Sequence, residues 1–305
     1  MGKPMKKSEI LIDSAPPLAD DIPPQSVSYW KDAWIRLRAN RPATIGLFVL
    51  IFLIICAVII PFVSAHTYYE THLSLKNKAP CSKFWFGTDE LGRDLFTRIW
   101  WGARISLFVG ITAAVIDMAI GVLYGAFAGL VGGKIEECMM RFSDILYSLP
   151  HLLIVILLMV IMKPGVTTII VALTITGWIN MARIVRGQIL QIKQNDYVVA
   201  AYMLGASRWR ILFRHLIPNS IGSIITTMTL TIPAAIFTEA FLSFLGLGVQ
   251  APIASWGTMA SDGLSALRYY PWRLFFPAIF ISITMLALNL LGDGIRDAFD
   301  PRLRT

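Results

Sequence analysis

Six apolar segments, each long enough to cross a bilayer, constrain this chain more than any other feature. They run approximately over Thr44–Val63, Ala103–Leu130, Met140–Met162, Val166–Ile189, Ile221–Leu245 and Leu274–Ile295. A hydrocarbon core of about 30 Å needs about 20 helical residues, and inside it a helix satisfies its own backbone N–H and C=O groups. The expected fold class is therefore all-α integral membrane, with six transmembrane helices and a helical loop on the cytoplasmic side. Composition agrees, since 56% of the residues are hydrophobic and only 15% charged, against about 25% charged in soluble domains. The fourth segment is the most polar, with Thr167, Thr168, Thr174, Thr176, Asn180 and Arg183. Polar groups in such a helix face other helices.

The formal charge of +8 is read as retention of basic residues on the cytoplasmic side, not as a nucleic-acid surface. With the N-terminus placed inside and residues at the adjoining span ends counted with each loop, Lys and Arg number seven in the tail, two after the second span, six after the fourth and three at the C-terminus. The opposite side holds nine against these 18. Both termini are thus expected in the cytoplasm. Residues 65–102 carry five of the nine external charges, with a sixth, Arg104, just beyond them, which marks them as a folded surface piece. In "SVSYWKDAWIRLRANRP" the apolar Trp30, Ala33, Trp34 and Leu37 recur at helical spacing among basic residues. The expectation is an amphipathic interfacial helix over 28–42 lying on membrane lipid. Residues 1–27 read as an unstructured cytoplasmic tail, and 43–305 as the six-helix membrane domain. About 43 polar or mixed residues precede the first apolar run, too many for a signal peptide. Cys56, Cys81 and Cys138 imply no disulfide framework, and no cluster has metal-ligand spacing. Walker A, G-x-S-x-G and H-E-x-x-H patterns are absent, so nothing supports an enzyme.

One stretch between the fourth and fifth spans does not read as an ordinary loop: "DYVVAAYMLGASRWRILFRHLIPNS", residues 196–220. Asp196 is placed as a helix N-cap. Ala200 and Ala201 give a low-relief surface that another protein can approach closely. Gly205 permits a turn, and Ser207 caps a second helix carrying Arg208, Arg210 and Arg214. In that helix Trp209, Leu212, Phe213 and Leu216 form an apolar stripe, and Pro218 ends it. A membrane-surface helix accounts for the basic and apolar faces but not for the small-residue patch followed by a glycine break. A docking knob accounts for both.

This stretch resembles the alanine-alanine-glycine loop of integral membrane subunits of binding-protein-dependent ABC importers. Ala200, Ala201, Gly205 and Pro218 stand at that family's spacing. Val199 departs from it where the family often has Glu, as do His215 and Ile217. "FGTDELGRDLFTRIWWGARISL" (86–107), "TEAFLSFLGLG" (238–248), "ASWGTMASDG" (254–263) and "LGDGIRDAFDPR" (291–302) are similar to the C-type permease of oligopeptide, dipeptide and nickel importers. The resemblance covers about residues 30–305. It implies a permease that forms the membrane pathway for oligopeptides or dipeptides with a second permease. Two ATP-binding subunits would bind the ATP, so this chain itself needs no cofactor. An extracytoplasmic peptide-binding protein would deliver the solute. A nickel or other small-solute importer stays open, as does, in a different class, an autonomous channel or secondary carrier. That last reading needs a chain of intramembrane ionisable groups or an inverted repeat, and Asp117 and Glu239 are few for it.

Asp117 and Glu239 lie inside predicted spans. Each is a candidate for lining or gating the pathway, or for a hydrogen bond or ion pair that holds the bundle together. Asp89, Arg93 and Asp94, between Gly87 and Gly92, form either a face for the binding protein or a mutual salt-bridged turn. Trp256 and Met259 could be a lid or docking face, or an interfacial anchor. Asp293 and Asp297 are placed at the surface or in loop contacts.

Overall fold

The computed structural model of the chain describes residues 29–299. The tail expected to be unstructured and the last residues of the terminal motif lie outside the described residues. The first helix, α1 (Tyr29–Ala39), packs on the last, and its Ala33 is buried while Trp34 stays exposed beneath the Arg38 guanidinium. A short break at Asn40 follows, whose side chain accepts the Ala43 N–H at 3.2 Å and opens α2 (Arg41–Val63).

Among the described residues five helices are long and apolar enough to cross a membrane: α2, α3 (Leu95–Val131), α6 (Val166–Ile192), α10 (Ile221–Leu242, continued by a π-helical turn to Leu247) and α12 (Trp272–Phe299). The third expected span is not one helix. It is divided into α4 (Gly133–Ser148) and α5 (His151–Met162), which meet at 78°. Pro150 is the cause: the residue before a proline is pushed out of helical space, and Leu149 is extended at φ −72°, ψ 132°. The apolar run from Met140 begins inside α4, which is an amphipathic helix. Its Glu136 and Asp144 pair with Arg186 and Arg183 of α6.

At 37 residues α3 is far longer than a bilayer requires. It begins eight residues before the predicted span, and its first turns stand among the ordered residues 65–94. Among the described residues the most extensive helix–helix packing is between α3 and α6. A Cβ on Gly121, Gly125 or Gly129 would lie 2.6 Å from Met181 Cβ, 2.2 Å from the Ala182 carbonyl oxygen and 2.8 Å from Ile189 Cγ2 respectively. These glycines recur every four residues, on one helix face, and let the two backbones approach.

The remaining elements are short. α7 (Asp196–Met203), α8 (Arg208–Ile211), a π-helical turn at 212–216 and α9 (Ile217–Asn219) link α6 to α10. α11 (Trp256–Ser265) lies between α10 and α12 and packs against both. Among the described residues the only strand-like pairing is an isolated bridge between Thr88 and Asp94.

Candidate functional site

The loop between α6 and α10 forms a two-helix knob. Asn195, not Asp196, occupies the N-cap position of α7, and Asp196 is the first helical residue. Gly205 adopts φ +84°, in the left-handed region, and a Cβ there would meet nothing within 4 Å. Glycine is thus required by backbone conformation and not by space. The Ser207 side chain accepts the Arg210 N–H at 3.3 Å and starts α8.

Two expectations for this region are corrected. Pro218 does not end the second helix. The chain continues through α9 into α10, and the π-helical turn directly before Pro218 loosens the helix where that residue lacks an N–H. The apolar stripe also divides. Leu212 and Leu216 are buried with Ile211 against Val185, Ile189 and Val198. Trp209 and Phe213 are exposed and stack on one another. The knob is therefore rooted in the bundle by one face of its second helix. Arg208, Arg210 and Arg214 are exposed, as is Ala200, with Ala201 half-buried. At the tip, Met203 is 79% and Leu204 88% exposed.

The segment 86–94 is a buried turn. Asp89 Oδ1 accepts the backbone N–H groups of Leu91 and Arg93, both at 2.9 Å, and its Oδ2 meets Arg93 Nε at 2.6 Å. Arg98 Nε stands 3.5 Å from the same oxygen. Asp94 caps α3, accepting from the Thr97 N–H at 2.8 Å and the Thr97 hydroxyl at 2.6 Å. With all three of Asp89, Arg93 and Asp94 buried, the geometry is that of an ion-paired turn. Trp256 is likewise no lid and no interfacial anchor. It is fully buried and donates from its indole N–H to the Ile99 carbonyl at 2.9 Å. Met259 is buried beside it.

The two intramembrane acids occupy different surroundings. Glu239 is fully buried and accepts hydroxyl protons from Ser106 of α3 at 3.0 Å and Ser243 at 2.8 Å. Ser106 in turn accepts the Trp256 N–H at 3.3 Å. Glu239 thus ties α3, α10 and α11 together inside packed core. Asp117 borders a cavity of about 350 Å³ with His151, Thr176, Asn180, Thr227 and Thr231. Its Oδ1 is buried without a hydrogen-bond partner. Asp293 and Asp297 lie on the last turns of α12, with Asp297 accepting from the Asn40 amide at 3.4 Å. Among the described residues no three His, Cys, Asp or Glu side chains gather as a metal site requires.

The model of the family described as "Binding-protein-dependent transport system inner membrane component" matches residues 121–305. The chain belongs to this family of permease components. A second model, the N-terminal membrane domain of oligopeptide transport permease C, matches residues 28–80 of the permease. The permease is 59% identical over 286 residues to the oligopeptide transport system permease protein OppC of Bacillus subtilis (strain 168), covering 94% of each chain. It is 60% identical to the dipeptide transport system permease protein DppC of the same organism, over 94% of this chain and 90% of the relative. OppC of Escherichia coli (strain K12) is 42% identical over 91% of this chain and 92% of the relative. Among solved structures, the inward-facing MetNI methionine ABC transporter shares the fold at TM-score 0.57 and 18% identity, covering 68% of this chain and 98% of that one. The permease is accordingly a multi-pass inner-membrane protein and the non-catalytic membrane part of its transporter.

Two arginines of the permease went unread in the sequence. Arg104 donates to the Ala57 and Val58 carbonyls at 2.6 and 2.7 Å. Arg273, 4% exposed, donates to Asn77, Glu90 and the Asp262 carbonyl at 3.2–3.3 Å. Both sit at span ends, where a basic residue reads as a snorkelling anchor. The available signal for Arg104 was Pro61, whose missing N–H had to leave a carbonyl four residues earlier in need of a donor. The glycine spacing at 121, 125 and 129 was equally visible.

Proposed function

We propose that this permease pairs with a second permease to form the membrane pathway for oligopeptides or dipeptides. Two ATP-binding subunits supply the energy and bind the ATP, and an extracytoplasmic peptide-binding protein delivers the solute. The named activities of the B. subtilis relatives, at 59% and 60% identity, support the peptide assignment. The Lys and Arg distribution supports cytoplasmic termini and a cytoplasmic knob.

The observation that carries the reading is the tip of the knob. Tyr202, Met203 and Leu204 stand 55%, 79% and 88% exposed on a turn fixed by Gly205, beside exposed Arg208 and Arg210. A partner of matching shape covers such a cluster, and the burial of Leu212 and Leu216 at its base passes that partner's movement into the bundle. The test is Ala201→Glu, which puts a charge and bulk into the docking surface without touching a span. The variant is expected to insert and to co-purify with the second permease, yet to lose recovery of the ATP-binding subunits and peptide uptake. Wild-type recovery together with wild-type uptake would overturn the coupling role.

A further inference from the structure

The cavity beside Asp117 has chemistry that the packing of the bundle does not use. Asp117 lies within α3, 4% exposed, and its Oδ1 has no hydrogen-bond partner. Among the described residues no lysine or arginine lines the cavity, and the basic side chain on its wall is His151. An ionisable group inside a membrane normally faces a partner charge or a polar path. Gly177 of α6 makes room for it, since a Cβ at that position would lie 2.2 Å from Asp117 Oδ2.

The hydroxyls around the cavity decide which ligand it suits. Thr227 donates its proton to the Ser223 carbonyl at 2.8 Å, Thr231 to the Thr227 carbonyl at 2.9 Å and Thr238 to the Ala234 carbonyl at 2.8 Å. With each proton committed to its own helix, these oxygens offer the cavity only lone pairs. Thr176 is engaged with His151 Nδ1 at 3.2 Å. The Asn180 amide adds N–H donors of its own to the wall, but a carboxylate set beside a row of hydroxyl acceptors suits a cationic ligand rich in N–H donors.

We propose that this cavity is a transit site for the terminal ammonium group of a peptide, with Asp117 as its counter-ion. The ammonium brings three donors and one positive charge, and about 350 Å³ accommodates an amino-terminal residue. The inference rests on the peptide-importer reading and adds a recognition step within the membrane. An inorganic cation shares part of this chemistry, and the experiment separates the two.

The complete transporter, with both permeases, the ATP-binding subunits and the binding protein, is reconstituted in vesicles and supplied with tri-alanine. Asp117→Asn is expected to lower the tri-alanine delivered per ATP hydrolysed by about tenfold, the scale of one partly screened charge pair, and Asp117→Glu to recover part of it. A tethered competitor gives an independent arm that leaves Asp117 in place. Thr231→Lys puts an ammonium into the cavity, whereas Thr231→Met adds similar length without charge. Delivery by the lysine variant is expected to fall about tenfold below that of the methionine variant, on the same charge-pair scale. Equal delivery by these two, or wild-type delivery by Asp117→Asn, would overturn the proposal. If Asp117→Asn does not assemble, the pair at 231 decides. Replacing sodium and potassium by choline should leave wild-type delivery unchanged; a fall seen in wild type and not in Asp117→Asn would assign the site to an inorganic cation and overturn the peptide assignment. None of these outcomes bears on the knob, whose own test is recovery of the ATP-binding subunits by Ala201→Glu.

Discussion

Arg104 of α3 donates from Nε to the carbonyl of Ala57 in α2 at 2.6 Å, four residues before Pro61. Proline has no N–H, so this carbonyl has no ordinary helical donor. The guanidinium supplies one, lying over the rings of Phe62 and Trp101 at 4.7 and 4.9 Å. A missing helical hydrogen bond in α2 thus becomes a tie to α3. Arg104→Met leaves the acceptor unsatisfied in an apolar setting and is expected to cost about 1–3 kcal/mol. In a Pro61→Ala background the helical N–H returns and the same change should cost less. Thermal unfolding of the four proteins in detergent measures the coupling, and an equal loss in both backgrounds would show that Arg104 does not act through Pro61.

Glu239 belongs to the same class of cross-helix ties, although its position in an apolar span invites a transport role. Its carboxylate takes protons from Ser106 and Ser243 and borders no cavity that Asp117 shares. Glu239→Ala strips two buried hydroxyls of their acceptor, at about 1–3 kcal/mol for each buried group left unpaired. The expected result is a lower unfolding temperature and a lower yield of assembled complex. Glu239→Gln keeps one acceptor oxygen and should lose less. Uptake normalised to assembled complex should stay near wild type in both variants. A Gln variant that assembles fully and fails to transport would instead place Glu239 in the mechanism.

The glycine seam predicts a contrast within one helix pair. Gly125 faces the Ala182 carbonyl oxygen at 2.2 Å from an added Cβ, whereas Gly187 on α6 has nothing within 4 Å. Gly125→Ala must separate α3 from α6 and is expected to cost about 1–3 kcal/mol as overpacking. Gly187→Ala meets no obstacle and gains helix propensity of up to about 1 kcal/mol. Unfolding temperatures should therefore move in opposite directions. A neutral Gly125→Ala would show that the seam yields without loss.

These cases mark what could be read from the sequence and what could not. Long apolar runs are summed over some 20 residues, so the positions of α2, α6, α10 and α12 were legible to within a few residues. Pro150 was visible as well, but the apolar run across it outweighed a single breaker. The Asp89–Arg93 pair was legible because its partners are four residues apart. Trp256 was misread because its acceptor, Ile99, is 157 positions away, and a tryptophan near a span end looks alike whether buried or at the interface. A separation of 133 positions likewise hid Ser106 as a partner of Glu239. In the knob, spacing revealed Gly205 and Ser207, since turns and caps are local. Which face of α8 and the following turn is buried was not legible, because the burial of Ile211 and Leu212 depends on Val185 and Ile189 of α6.

The geometry at Gly205 permits a separation of backbone from bulk. Its φ of +84° is costly for residues with a Cβ, by roughly 1–2 kcal/mol for left-handed backbone, and least so for asparagine, whose side chain can hydrogen-bond locally. No neighbour occupies the space around it, so size alone should not matter to the isolated permease. Gly205→Asn is therefore expected to retain more of the knob's conformation than Gly205→Val, which combines a Cβ with β-branching. The order of recovered ATP-binding subunits, and of peptide uptake, should be wild type, then Asn, then Val. Leu204→Ala supplies the complementary case: the turn is kept and an apolar side chain at the tip is lost. It should leave the unfolding temperature of the permease unchanged, because Leu204 is 88% exposed, and lower capture of the ATP-binding subunits. If Asn and Val variants are equally impaired while each permease unfolds at the wild-type temperature, the partner itself presses against position 205. The glycine would then serve close approach in the assembled transporter, not the turn alone.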